Sequence, residues 1–358
     1  MLKYSAYAES TTEGRTAASD SEIQVMKQFS RVISVAILFV AFASVAEAQD
    51  PVDDDVISVD TSIVRLNVGV VNPSGSPVTN LSRNDFKLFE DGVEQEIVRF
   101  EPVAAPFSLV MILDMSGSTL SFRQTIRTSA IRFLDALAAT DRVAIVEFYD
   151  KVNVLNDFTT DREKLIHSIT VANGRGKTQL YKSLDTALEK LSKEGSRRKA
   201  VIVLTDGVDT DVRNLDREVL GRVAEDKMAG FIEPENSSAL NQVLRKASNQ
   251  GVTIYPLALP TGDPAKLVDP SPIQVAMYSA ARERLDILAS RTGGMLNTIN
   301  RLEEMGRLYA QVAGDIRSLY TIEYQPGNEK KDGKWREIKV ELAQPELIPR
   351  TRPGYFAN

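Results

Sequence analysis

The chain has no cysteine and a single histidine, His167, among its 358 residues. The first absence excludes disulfides, zinc–thiolate centres, a thiol nucleophile and a lipid-modified cysteine anchor, and the second leaves too few imidazoles for a histidine-rich metal site. Positive charge is also short: 43 Lys and Arg stand against 49 Asp and Glu, for a net charge of -6. With no basic stripe, nucleic acid is not an expected partner. Long apolar runs are missing except for VISVAILFVAFASV at 32–45, which falls short of the roughly 20 residues a spanning helix needs. That run follows the basic segment MKQFSR and precedes AEA and then Gln49. This is the order of a secretory signal peptide over 26–48, cleaved near Ala48-Gln49. The expected mature chain is exported, periplasmic or extracellular, and has no transmembrane segment. Residues 1–25 are polar and non-periodic and read as an extension upstream of a start at Met26.

What is present is an ordinary globular composition, 43% apolar and 26% charged, long enough for more than one core. Residues 50–102 read as a small β unit. SIVRLNVGVV alternates, with Val64, Leu66, Val68 and Val70 on one face, and FKLFEDGVEQEIVRF carries Asp91-Gly92 as a hairpin turn. Residues 315–358 look similar, with YTIEYQP and WREIKVELA as strands. Neither piece can cover both faces of a sheet alone, so the two are expected to pack together as a small sandwich-like platform.

The segment between them, 103–314, alternates strand and helix. SLVMILD, RVAIVEFYD, AVIVLTD and VTIYPLAL are short apolar strands. RQTIRTSAIRFLDALAA and TQLYKSLDTALEKL hold apolar residues at helical spacing, and Thr160 to Glu163 reads as a capping box. The expected fold class is α/β: a doubly wound, mostly parallel sheet with helices on both faces, carrying its site where strands end near the switch point.

Three strand ends or loops converge on that edge. LVMILDMSGS leaves the core at Asp114 and continues with Ser116 and Ser118, AVIVLTDG ends in Asp206, and NGRGKTQL sets Thr178 in a Gly-rich loop before a helix. Two carboxylates and three hydroxyls are all hard oxygen donors, suited to Mg²⁺ or Mn²⁺ and unsuited to zinc. With only two negative charges against a dication, the ion keeps positive charge for a carboxylate from outside. The competing local reading is that Asp and Ser at a strand end simply cap the next helix. Asp209 and Asp211 read as solvated loop charges, and His167 as a surface or half-buried helix residue.

This ordered set, D-x-S-x-S, then a loop Thr, then T-D-G, resembles the metal-ion-dependent adhesion site of von Willebrand factor type A domains. The flanks resemble the exported bacterial VWFA-related proteins, in Leu81, Asp85, Phe86, Glu90, Asp91, Gly92, Gln95 and the closing R-P-G-Y. The resemblance spans about 56–357. It implies Asp114, Ser116, Ser118, Thr178 and Asp206 as ligands of a Mg²⁺-type ion, and a role in adhesion or protein–protein interaction, with a protein or acidic ligand supplying a carboxylate to the metal. The segments 212–238 and 261–272 are long for the pattern and are expected near the metal edge.

The enzymatic alternative is a Mg²⁺-dependent nucleotide or phosphate hydrolase using GRGKT as a phosphate loop with Thr178 and Asp206 on the metal. That pattern needs a glycine where Val171 stands, and a strand where DREKLIHSI reads as helix. An aspartyl-phosphate mechanism would need an acid where Ser116 stands. A binding module, with no catalytic residues, is therefore the expectation.

Overall fold

The structure, a computed structural model, describes residues 63–103 and 105–357. The expected signal peptide, its cleavage site and residues 1–25 lie outside the described residues.

The chain opens with β1 (Val64–Val71), whose Val64, Leu66, Val68 and Val70 are buried together. After a polar turn, β2 (Phe86–Glu90) reverses into β3 (Val93–Gln95) through Asp91 and Gly92, at φ 48° and 81°. Two successive positive φ values make the tight hairpin that an Asp-Gly pair favours. β4 (Ile97–Glu101) then leads into the α/β layer, which begins with β5 (Phe107–Asp114) and α1 (Arg123–Asp135). It continues through β6 (Arg142–Phe148), β7 (Val152–Thr159), α2 (Arg162–Val171), α3 (Leu180–Ser192) and β8 (Arg198–Thr205). α4 (Thr210–Leu220), α5 (Ser238–Gln250), β9 (Val252–Ala258), α6 (Pro272–Thr292), β10 (Asn297–Thr298) and α7 (Met305–Arg317) complete it. The last strands are β11 (Leu319–Tyr324), β12 (Trp335–Leu342), β13 (Ile348–Arg350) and β14 (Gly354–Phe356).

Six strands form one sheet in the order β10-β9-β8-β5-β6-β7, parallel throughout except for the edge strand β7. β5 is completely buried because the sheet is covered on both faces. Its Leu109, Met111 and Leu113 pack with Ile126 of α1, Leu165 of α2 and Val312 of α7. Val110 and Ile112 face Leu184 of α3, Val243 of α5 and Leu285 of α6. The strand order turns back at β5: the chain moves outward to β6 and β7, then returns to the other side of β5 as β8. This switch point is where the carboxyl ends of β5 and β8 lie side by side.

The first and last strands form two four-stranded antiparallel sheets, β13-β1-β11-β4 and β14-β12-β2-β3, around a shared core of Leu66, Val68, Leu88, Tyr320, Ile322 and Tyr324. Arg198 fastens this platform to the amino ends of the parallel strands, donating to the carbonyls of Leu319 at 2.7 Å and Val103 at 2.9 Å. Asn67 does the same towards Gly251 and Thr253, both at 3.0 Å. These ties sit at the opposite end of the parallel sheet from the strand ends that carry Asp114 and Asp206. No helix among the described residues is long and apolar enough to cross a membrane.

Several local expectations differ from the outcome. The cap of α2 is Asp161, which accepts from the Lys164 amide at 3.1 Å, one residue later than the expected Thr160. The 212–238 segment contains most of α4 and two 3₁₀ turns, and it builds a small core of its own from Leu220, Met228, Ala276 and Met277.

Candidate metal site

β5 delivers Asp114 to the switch point with no exposed surface, and β8 delivers Asp206, 3% exposed, from the neighbouring strand. Asp114 is held rigidly: one carboxylate oxygen accepts from the Ser116 amide at 2.9 Å, the other from the Thr205 hydroxyl at 2.8 Å. Thr205 is fixed in turn by the Gly207 amide, which donates to its oxygen at 3.0 Å. Asp206 accepts from the Val208 amide at 3.1 Å, and the nearby Ser118 hydroxyl opposes part of the rise that burial gives its pKa. Ser116 and Ser118 lie 3.1 Å apart, hydroxyl to hydroxyl.

The helix-cap reading of these serines is not what forms. Ser116 occupies the cap position of the 3₁₀ turn Gly117–Phe122, yet its hydroxyl makes no capping bond. It points instead to the Ser118 hydroxyl. The turn is secured by Thr119, whose hydroxyl donates to the Asp114 carbonyl at 2.9 Å. Ser116 is 1% exposed while Ser118 is exposed, so the cluster opens to solvent on the Ser118 side.

Thr178 is buried on the third segment. Its loop touches the first one where the Gly117 amide donates to the Gly176 carbonyl at 3.1 Å. Arg123 holds the same two loops together by donating to Met115 at 2.8 Å, to Asn173 at 2.6 Å and to the Gly174 carbonyl. The Thr178 amide donates to the Thr210 hydroxyl at 2.9 Å, and the Thr210 amide returns a bond to the Thr178 carbonyl at 3.0 Å. Asp114, Ser116 and Ser118 are thus linked by hydrogen bonds, Asp206 lies on the adjacent strand end, and Thr178 is bonded to Thr210, its loop meeting theirs at Gly176–Gly117.

Electrostatics sets this cluster apart. Burial, followed by the nearby Asp206 charge, pushes Asp114 up from 3.8 to about 7, and burial raises Asp206 as well. Desolvation disfavours the charged form of each, and one carboxylate disfavours the other. No Lys or Arg forms an ion pair with either among the described residues. Nor does any group of three or more His, Cys, Asp or Glu there make a conventional metal cage. Arg213 acts on Asp206 and Arg123 on Asp114 only from outside ion-pair distance, so two buried, unbridged carboxylates ringed by hydroxyls suit a hard dication with water in part of its shell.

Sequence reasoning missed the supporting residues. Asp209 is buried and not solvated as expected: one oxygen caps α4 through the amides of Asp211 and Val212 at 3.0 and 3.2 Å, and the other accepts from the Tyr181 amide of α3 at 3.3 Å. Asp211 and His167 are exposed. The 261–272 loop closes against the site from β9. A Cβ on Gly262 would lie 1.9 Å from the Asp206 carbonyl oxygen, so only glycine allows that approach. The GRGKT loop is not arranged as a phosphate cradle. The Lys177 amide donates to the Asp150 carboxylate at 2.7 Å, and a Cβ on Gly176 would meet that carboxylate at 2.4 Å. An anionic side chain already stands where phosphate oxygens would be held, and a helix, α2, precedes the loop.

Residues 109–208 match the sequence profile of the von Willebrand factor type A domain. No curated protein matches the chain. Among solved structures, the chain is similar to the vWF domain of the type V pili tip protein Mfa5 from Porphyromonas gingivalis. The identity is 15% and the TM-score 0.43, covering 58% of this chain and 94% of that one. It is also similar to a von Willebrand factor type A protein from Catenulispora acidiphila, at 13% identity and TM-score 0.44, covering 84% and 64%. The pilus adhesin SpaC from Lactobacillus rhamnosus GG shares 12% identity at TM-score 0.44, covering 77% of this chain and 48% of that one. The six-stranded layer therefore has the α/β fold of a von Willebrand type A-like domain, with the family's sequence profile running from inside β5 to just past Asp206.

Proposed function

We propose that the chain is an exported binding module, not an enzyme. In this reading Asp114, Ser116, Ser118, Thr178 and Asp206 hold a Mg²⁺ or Mn²⁺ ion, and a partner is recognised through a carboxylate that completes the ion's shell. The observation that carries the reading is the pair of buried carboxylates held in no ion pair, opening to solvent beside Ser118. The ion would supply the missing positive charge and a Lewis-acidic contact for the incoming carboxylate. The chain's own residues fix the two carboxylates through Thr205 and the Ser116 and Val208 amides, keep water from their inner side, and leave the Ser118 side open. The match at 109–208 supports a binding role, and the apolar run at 32–45 with its AEA site supports export. The hydrolase alternative is disfavoured by the Asp150 carboxylate lodged in the GRGKT loop.

The test is calorimetric titration of residues 49–358 with Mg²⁺ and Mn²⁺, followed by capture of partners from envelope extract in Mg²⁺ and in chelator. A one-site isotherm lost in Asp206→Asn, with partners released by chelator, is the expected result. Absence of cation binding, or a partner set indifferent to chelation, would overturn the proposal.

A further inference from the structure

At the joint between the platform and the α/β layer, far from the metal edge, lies a cavity of about 410 Å³. Its walls are largely apolar, from Val70 and Leu319 of the platform and Tyr255 and Met295 of the α/β layer, and two opposite charges face it, Asp315 and Arg350. A few hundred Å³ with apolar walls and a small number of placed polar groups is the usual form of a small-molecule site.

The two charges form no ion pair, with each other or with any other described residue. Asp315 sits in the last turn of α7, where the helix dipole already presents negative charge. Its Oδ2 is buried and accepts no hydrogen bond, and burial raises the group's pKa with Arg350 only partly opposing. Arg350, on β13, has its guanidinium against the Met295 sulfur at 3.5 Å and makes no ion pair with any described carboxylate, Asp315 included. A buried carboxylate oxygen without a donor is costly to a fold. Here it is combined with a cation beyond ion-pair distance across the same apolar space.

We infer that this cavity binds a small zwitterion with an apolar side chain, an apolar α-amino acid or its dipeptide, with the ammonium on Asp315 and the carboxylate on Arg350. The apolar side chain fills the space between Val70, Leu319 and Met295. Arg350 offers paired N–H donors to a carboxylate, and Asp315 offers the acceptor oxygen that lacks a donor. The site is independent of the metal cluster, so its occupancy does not require a divalent cation.

The experiment uses residues 49–358 in chelator and titrates L-leucine and leucyl-leucine by calorimetry and by thermal shift. Two half-ligands serve as controls: 4-methylpentanoate, which lacks the ammonium, and 3-methylbutylamine, which lacks the carboxylate. At least one zwitterion should bind, and each half-ligand should bind roughly tenfold or more weakly, the size expected from losing one charge-assisted contact. Asp315→Asn and Arg350→Gln should each weaken zwitterion binding to a similar degree and leave the melting temperature without ligand near that of the parent. Arg350 is exposed, and Asp315→Asn removes a charge that is in no ion pair and whose Oδ2 accepts no hydrogen bond. No binding of either zwitterion up to about 10 mM would overturn the inference. So would binding that survives both substitutions, or a half-ligand that binds as tightly as leucine.

Discussion

Replacing Asp114 by Asn separates charge from shape. Asparagine keeps an oxygen for the Ser116 amide, and its NH2 can donate to Thr205 once that hydroxyl turns to accept, so most of the hydrogen-bonded frame persists while the negative charge is removed. Without a cation, Asp114 ionises at about 7 in the folded protein instead of 3.8. Because this folded value is raised, the folded state keeps a proton that the unfolded chain releases above 3.8. The wild type should lose stability as pH climbs from about 4 to 7, and the loss is complete above 7. At about 1.36 kcal/mol per pKa unit the full cost is roughly 4 kcal/mol, of which on the order of 3 kcal/mol develops between pH 5 and pH 8. The Ser116 and Thr205 hydrogen bonds already act within that raised value, so they add no separate offset, and the variant simply lacks this titration. In urea titrations in chelator, Asp114→Asn should therefore gain roughly 3 kcal/mol relative to the parent on going from pH 5 to pH 8. Adding Mg²⁺ at pH 8 should close most of that gap, since a cation at a hundredfold excess over Kd contributes about 2.7 kcal/mol to the parent alone. A difference that is flat with pH would refute the reasoning, and so would a variant that retains the Mg²⁺ shift.

Four further outcomes follow from particular contacts. Ser116→Ala should reduce the Mg²⁺-dependent rise in melting temperature and leave stability in chelator within about 1 kcal/mol of the parent, as its hydroxyl caps no helix. Gly262→Ala should destabilise the fold and weaken cation binding together in parallel melts and titrations, because its new methyl displaces the Asp206 carbonyl. Lys177→Ala should leave calorimetric traces with ATP and Mg²⁺ as flat as those of the parent; a micromolar isotherm that the substitution removes would revive the hydrolase. Arg284→Met should cost about 3–5 kcal/mol in urea unfolding, because it strands Asp216, now joined to Arg284 by two 2.7 Å bonds in a buried pair between α4 and α6.

The strands of the parallel sheet were legible because each is buried on both faces and reads as an unbroken apolar run; β5 and β8 are the clearest. The platform was legible from alternation in β1 and from Asp91-Gly92. β7 escaped because VNVLNDFT is a half-exposed edge whose pattern is irregular, with register shifts against β6. The first half of α6 escaped for another reason: Ala276, Met277, Ala280 and Ala281 are buried, but its small side chains give no contrast between faces. At the site, the five proposed ligands stand in short motifs and could be named from spacing. Thr205, Asp209, Asp150 and Arg123 could not, because their roles come from segments that are distant in the chain. Asp209 looked solvated only because nothing local shows that α3 and α4 start on either side of it.

The pairing of β1 with β11 also decides how the molecule carries a load. Val64 lies opposite Tyr324 and Gly69 opposite Leu319, and it is the Leu319 end of β11 that joins α7 and the α/β layer. Tension between residue 63 and that layer draws β1 and β11 in opposite directions along their lengths, so the six paired residues are sheared together and not unzipped one at a time. β4 and β11 both meet the α/β layer at the same end of their own pair, Glu101 opposite Thr321, and are dragged as one ribbon. A tether upstream of residue 63 and a ligand held at the metal edge would thus pull against the mechanically stiffer arrangement of a β-ribbon.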